Sequence, residues 1–186
     1  CSLLCYSRVD TSHTPYPTLF SVRLRGAASQ QLGNSGLGKL VAKAAAEYLT
    51  PTTLELGGKN PCIVDHTANI KVSARRIAWG KWLNAGQTCI APDYVMVHEK
   101  VRAEFVEELQ KAVTSFYGDD PRLSDSYGRI VTNRHFDRLR GLMAGGTPVI
   151  GGEAIADDRY IAPTVLTDVE IDSALMNEEI FGPLLP

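Results

Sequence analysis

Thr52-Thr53-Leu54-Glu55-Leu56-Gly57-Gly58-Lys59-Asn60-Pro61-Cys62-Ile63-Val64 decides the fold. Two short runs of β-branched and apolar residues, 52–56 and 61–64, flank a Gly-Gly break, which is the pattern of two strands with a turn between them. Helical periodicity lies on both sides. Upstream, residues 37–49 set Leu37, Val41, Ala44, Ala45 and Leu49 on one face, and Pro51 stops the helix. Downstream, Ile70, Ala74, Ile77, Ala78 and Trp82 recur at helical spacing within 69–83. Asn84 to Cys89 breaks that period and reads as a loop. Residues 94–97 read as a strand, and 99–116 as a helix with Val101, Phe105, Leu109, Val113 and Phe116 along one stripe. A turn at Asp119-Asp120-Pro121, a helix over 132–143 and strands near 148–150 and 160–166 follow. Strands that alternate with helices are the signature of an α/β fold with a mostly parallel sheet.

The ends are less regular. Gly33-Asn34-Ser35-Gly36-Leu37-Gly38 is a glycine-rich turn with Asn34 or Ser35 as a helix cap. Residues 1–32 are rich in Ser, Thr, Pro and Arg, lack an apolar period and read as irregular. The chain starts at Cys1 and stops in the apolar run Leu184-Leu185-Pro186, as a piece of a longer protein would.

Composition narrows the function. Of 186 residues, 44% are hydrophobic and 22% charged, an ordinary globular balance. With 19 basic and 21 acidic residues the net charge is -2, and no basic stripe invites nucleic acid. No run approaches the roughly 20 apolar residues of a membrane span. Cys1, Cys5, Cys62 and Cys89 match no disulfide framework and no pair of CxxC ligands, so reduced thiols and a cytoplasmic setting are expected. His13, His66, His98 and His135 have no ligand spacing, and no metal is expected.

Three stretches carry residues suited to chemistry. Cys89 follows Gly86-Gln87-Thr88 in a loop, where a thiol can be exposed and activated, although a free cysteine is more often a small buried hydrophobe. Glu55 ends an apolar strand, and a carboxylate there is either paired or faces a cleft. Glu178-Glu179-Ile180-Phe181-Gly182-Pro183 is either an acid and a ring that hold a ligand, or a helix end before a turn. Lys59 and Asn60 read as structural, Trp79 and Trp82 as core, and Arg134, Arg138 and Arg140 as a solvated helix face.

Leu54-Glu55-Leu56-Gly57-Gly58-Lys59-Asn60-Pro61, Gly86-Gln87-Thr88-Cys89 and Glu178-Glu179-Ile180-Phe181-Gly182-Pro183 together resemble the three signature blocks of aldehyde dehydrogenases, in order and at fitting separations. The resemblance runs from Gly33 to Pro186. Arg75 to Lys81, Ala91 to Tyr94, Phe116-Tyr117-Gly118 and Arg159 to Thr164 resemble the class-three and fatty aldehyde branch.

The resemblance implies a three-layer α/β fold, present in part. Residues 33–57 would end a dinucleotide-binding domain, and 58–186 would belong to the thiol domain. It implies NAD(P)-dependent oxidation of an aldehyde to a carboxylic acid, with Cys89 as nucleophile and Glu55 as general base. Asn34, Leu56, Gly57, Glu179 and Phe181 would bind NAD or NADP. A homodimer is implied for the full-length parent, and the fatty aldehyde branch attaches to membranes through a tail beyond the matched region. The other class of reading is a truncated product without activity that only associates with other subunits. A thiol hydrolase would need a His partner for Cys89, and none is evident in the sequence.

Overall fold

The structure is a computed structural model that describes residues 29–32 and 35–186. Asn34 and residues 1–28 lie outside the described residues, and so do the expectations attached to them. The chain divides into two compact units, Cys1–Gly57 and Gly58–Pro186.

In the first unit, β1 (Ser29–Leu32) pairs in parallel with β2 (Thr52–Glu55), from Ser29 opposite Thr52 to Leu32 opposite Glu55. Parallel strands need a crossover, and α1 (Ser35–Ala46) supplies it. Val41 and Ala45 of α1 are buried, with Leu37, Ala44 and Leu54 packed around them. Strand β1 lies in a segment expected to be irregular. Ser-Gln-Gln-Leu carries no β signal in its side chains, and its strand is defined by backbone pairing with β2. Leu49 also departs from expectation. It sits past the helix end at φ 51° and is 90% exposed. The Thr50 N–H reaches back to Ala45 O at 3.0 Å, so the chain leaves α1 through a left-handed residue, as helix C-caps commonly do.

In the second unit, β3 (Pro61–Val64) and β4 (Tyr94–Val97) pair in parallel, and α2 (Ile70–Trp82) crosses between them. The Asn69 side chain caps α2 by accepting the Val72 N–H at 3.1 Å. Helix α3 (Arg102–Tyr117) packs on α2, with Arg75 stacked 4.6 Å over the Phe116 ring. It ends at Gly118, whose φ of 81° suits glycine. Helix α4 (Asn133–Leu142) is capped by Thr132, which accepts the His135 N–H at 3.2 Å.

The remaining chain adds β5 (Thr147–Ile150), β6 (Ala154–Ile155), β7 (Tyr160–Ile161), β8 (Thr164–Thr167), α5 (Ala174–Asn177) and β9 (Leu184–Leu185). Strands β5, β8 and β9 form one sheet in that order, antiparallel and then parallel. The β6–β7 pair is an antiparallel hairpin. Val95 N–H donates to Pro186 O at 2.9 Å and so ties the end of β9 to β4.

One apolar core runs through this unit. Trp82 of α2, Phe105 and Leu109 of α3, Phe136 and Leu139 of α4, Tyr160, Leu184 and Leu185 are each at most 3% exposed. The buried face of α2 is Ile70, Ala74, Ala78, Lys81 and Trp82. Trp79, expected in the core, is 60% exposed because at 100° per residue it falls on the face away from that stripe. Among the described residues, no helix is long and apolar enough to cross a membrane, and no group of three or more His, Cys, Asp or Glu could hold a metal ion.

Leu109 of α3, 1% exposed, tests the core. Leu109→Ala is expected to cost about 3 kcal/mol of stability in urea unfolding. A loss close to zero would contradict the packing described.

Candidate active site

The loop after α2 presents Cys89. Three successive residues leave the helix in left-handed conformation: Asn84 (φ 54°), Ala85 (φ 52°) and Gly86 (φ 74°). Only glycine adopts such φ values freely, so Asn84 and Ala85 persist because their surroundings fix them. Asn84 Nδ2 donates to Gln87 O at 3.1 Å, and the Gln87 N–H returns to Asn84 O at 3.1 Å. The Gln87 amide spans to the segment before α4. Its Nε2 donates to Arg129 O at 3.0 Å, and its Oε1 accepts the Val131 N–H at 3.0 Å. Ala85 is buried, at 1% exposure.

Gly86 is required twice. Its φ favours glycine, and a Cβ would stand 2.1 Å from the Gly182 carbonyl oxygen. The glycine of the second sequence block therefore lies against the glycine of the third. Trp82 Nε1 fastens the same neighbour by donating to Pro183 O at 2.9 Å. Beyond Gly86, Ala91 N–H closes a turn on Thr88 O at 3.0 Å. Cys89 lies in that turn and is exposed. The Asn60 side chain holds the turn from the other side through Cys89 O at 2.8 Å and Ala91 O at 3.1 Å.

The third block is anchored by charge. Asp93, 3% exposed, accepts the Ile180 N–H on Oδ1 at 2.9 Å and pairs with Lys59 through Oδ2. Lys59 also donates to Leu175 O. Lys81 is 1% exposed; burial lowers its ammonium pKa to about 8, while the nearby Asp93 carboxylate opposes that shift. Burial raises the Glu179 carboxyl, and the Gly58 N–H that it accepts pulls the other way. Phe181 takes φ 51° and is held from α4. His135 Nε2 donates to Phe181 O at 2.7 Å, and Arg138 donates to Ile180 O. A carbonyl can only accept, so Nε2 of His135 carries the proton.

The structure thus brings Cys89, Glu179 and Phe181 into one unit, linked through Gly58, Lys59 and Asn60. Glu55 and Leu56 belong to the other unit, at the end of β2. There Glu55 is exposed, and Leu56 packs where a Cβ on Gly38 would meet its methyls at 3.1 Å. Gly57 is exposed at the close of that unit. Arg138 is exposed, as expected of a solvated face, and its guanidinium also donates to the Ile180 carbonyl. Asp93, Gln87 and His135 were not singled out from sequence, since their partners lie 34 to 87 positions away. Lys81 had a readable signal, a charge in the buried stripe of an amphipathic helix.

This arrangement of folded elements recurs in solved structures. A substrate-bound Staphylococcus aureus AldH superposes with a TM-score of 0.82 at 49% identity, covering 86% of this chain and 35% of that one. An NAD-dependent aldehyde dehydrogenase from Sinorhizobium meliloti gives 0.77 at 31% identity, covering 86% and 33%. Residues 30–186 match the aldehyde dehydrogenase family, and the chain belongs to that family. Within it, the chain is 53% identical over 154 residues to the dog aldehyde dehydrogenase described as dimeric and NADP-preferring, covering 83% of this chain and 34% of that protein. It is 50% identical over 154 residues to mouse aldehyde dehydrogenase family 3 member A2, covering 83% and 32%. The chain spans about a third of the length of these curated relatives.

Gly86→Ala forces a methyl into the Gly182 carbonyl, and calorimetry should read an unfolding midpoint lowered by about 3 °C or more. An unchanged midpoint would contradict the close approach. His135 has its pKa lowered by burial, so the unfolded chain binds more protons below the ordinary histidine pKa of about 6.5. Its contribution is present above that pH and is lost as pH falls through the depressed value. His135→Gln should flatten the fall in stability on acidification; an identical pH profile would exclude His135 as its source.

Proposed function

We propose that the protein carrying this chain oxidises an aldehyde to a carboxylic acid with NAD or NADP, and that Cys89 is its nucleophile. The observation that carries this reading is an exposed thiol on a turn held from both sides, in a chain of the aldehyde dehydrogenase family. The Cys89 thiolate attacks the aldehyde carbon, forming the S–C bond while the carbonyl π pair moves to oxygen. The backbone N–H of Cys89 donates to that developing oxyanion. When bound, a nicotinamide dinucleotide would supply the hydride acceptor. An oxyanion lone pair re-forms the C=O bond as the C–H hydrogen leaves with its electron pair as hydride, and a thioester remains on Cys89. Glu55 takes the proton of the water that adds to the thioester, and the thiolate leaves with the S–C electron pair.

The residues of this chain fit the dinucleotide. Glu179 is half-buried and accepts a backbone N–H, which orients its carboxylate and leaves acceptor lone pairs for vicinal ribose hydroxyls. The half-buried Phe181 ring supplies an apolar surface for the nicotinamide. Leu56 and Gly57 offer backbone, and the family resemblance would make Asn34 a donor for the pyrophosphate. The relatives support either dinucleotide, one being described as NADP-preferring and another as NAD-dependent. The name of the dog relative supports a dimer. A cytoplasmic location completes the proposal.

Cys89→Ser is expected to abolish NAD(P)H production, followed at 340 nm in the protein as it is made in the cell. Glu55→Gln is expected to retain a first-turnover burst of NAD(P)H and lose steady-state turnover. A full steady-state rate in Glu55→Gln would remove Glu55 from the mechanism.

A further inference from the structure

We infer that Asn60 is a positioning residue for the nucleophile, fixing the direction of the Cys89 Cβ and N–H. The inference rests on the reading of Cys89 as nucleophile. Two peptide planes meet at the Cys89 Cα. The plane before it contains Thr88 C=O and Cys89 N–H, which point in opposite directions in a trans peptide. Ala91 N–H holds Thr88 O at 3.0 Å and so fixes where the Cys89 N–H points. The plane after it contains Cys89 C=O, and Asn60 Nδ2 holds that oxygen at 2.8 Å. With both planes fixed, the Cα–Cβ bond has one direction, and the only freedom left to the thiol is its χ1 rotation.

The chemistry of the site calls for asparagine. Two carbonyl oxygens, of Cys89 and Ala91, converge on one short side chain, and a primary amide nitrogen has two hydrogens to give. A carboxylate would set lone pairs against lone pairs. Asn60 is itself immobilised, since its backbone oxygen accepts the Asp93 N–H at 2.8 Å and β3 begins at the next residue. A Cβ on Gly58 would stand 3.0 Å from Asn60 Oδ1, so the bare glycine makes room for the amide. Asn60 touches no reacting atom in this account. It keeps the thiol and the N–H aimed at one carbonyl group, the alignment on which attack geometry depends.

The test compares Asn60→Ala, Asn60→Asp and Asn60→Ser with Cys89→Ser in the protein as it is made in the cell. Asn60→Ala is expected to lower kcat about ten- to a hundredfold, with KM for the dinucleotide within about twofold and an unfolding midpoint only a few degrees lower. Asn60→Asp should lose at least as much. Asn60→Ser keeps one donor and should fall between, and it carries the test alone if the other two do not fold. Alkylation of Cys89 by iodoacetamide should proceed at the wild-type rate, because the thiol stays exposed. Wild-type kcat in Asn60→Ser or Asn60→Ala, or a loss of activity that only tracks the folded fraction, would overturn the inference. Turnover in Cys89→Ser would instead overturn the functional reading beneath it.

Discussion

A carboxylate buried to 3% exposure sets the terms for the rest of the second unit. A buried charge without partners is costly, so Asp93 constrains the chain wherever it finds them. It takes one partner from the first sequence block, Lys59, and one from the third, the Ile180 N–H. It stands four positions after Cys89 and leads into β4. Three segments far apart in sequence therefore meet around one side chain. Lys81, buried from the α2 side with its pKa lowered to about 8, adds a second cation to the cluster. Removing the carboxylate would strip Lys59 of its ion pair and leave Lys81 with Glu179 as its nearby anion.

Around that anchor the loop carrying Cys89 is kept in a conformation it would not choose. Asn84 and Ala85 each hold positive φ at a cost of order 1 kcal/mol. The Gln87 amide, the burial of Ala85 and the contact of Gly86 with Gly182 offset it. The Phe181 segment is built the same way, with one left-handed residue held by α4 through His135 and Arg138. Both segments are fixed by partners outside themselves. That makes them rigid without regular secondary structure, which is how a loop can hold reacting groups in register.

Much of this was legible in the sequence. The strands at 61–64 and 94–97 and the stripes of α2 and α3 follow from alternation and period, because burial writes itself into local spacing. The three blocks pointed to Cys89, Glu179 and Phe181 through their resemblance to a family. What was not legible depends on contacts between distant segments. Asn60 looked structural because a lone amide announces nothing until its two carbonyl partners are known. The bond from Arg138 to Ile180 O was not legible because helical spacing says nothing of a carbonyl that arrives 42 positions later. Strand β1 was missed because backbone pairing leaves no mark on Ser-Gln-Gln-Leu.

The central claim is that Cys89 carries the covalent intermediate. Its most direct test is rapid acid quenching of the protein during the first turnover with aldehyde and dinucleotide, followed by peptide mapping by mass spectrometry. The account predicts an acyl group on the peptide containing Cys89, appearing as NAD(P)H forms and decaying as carboxylate is released. Carboxylate formed with no acylated Cys89 at any quench time, or an acyl group on another residue, would contradict it.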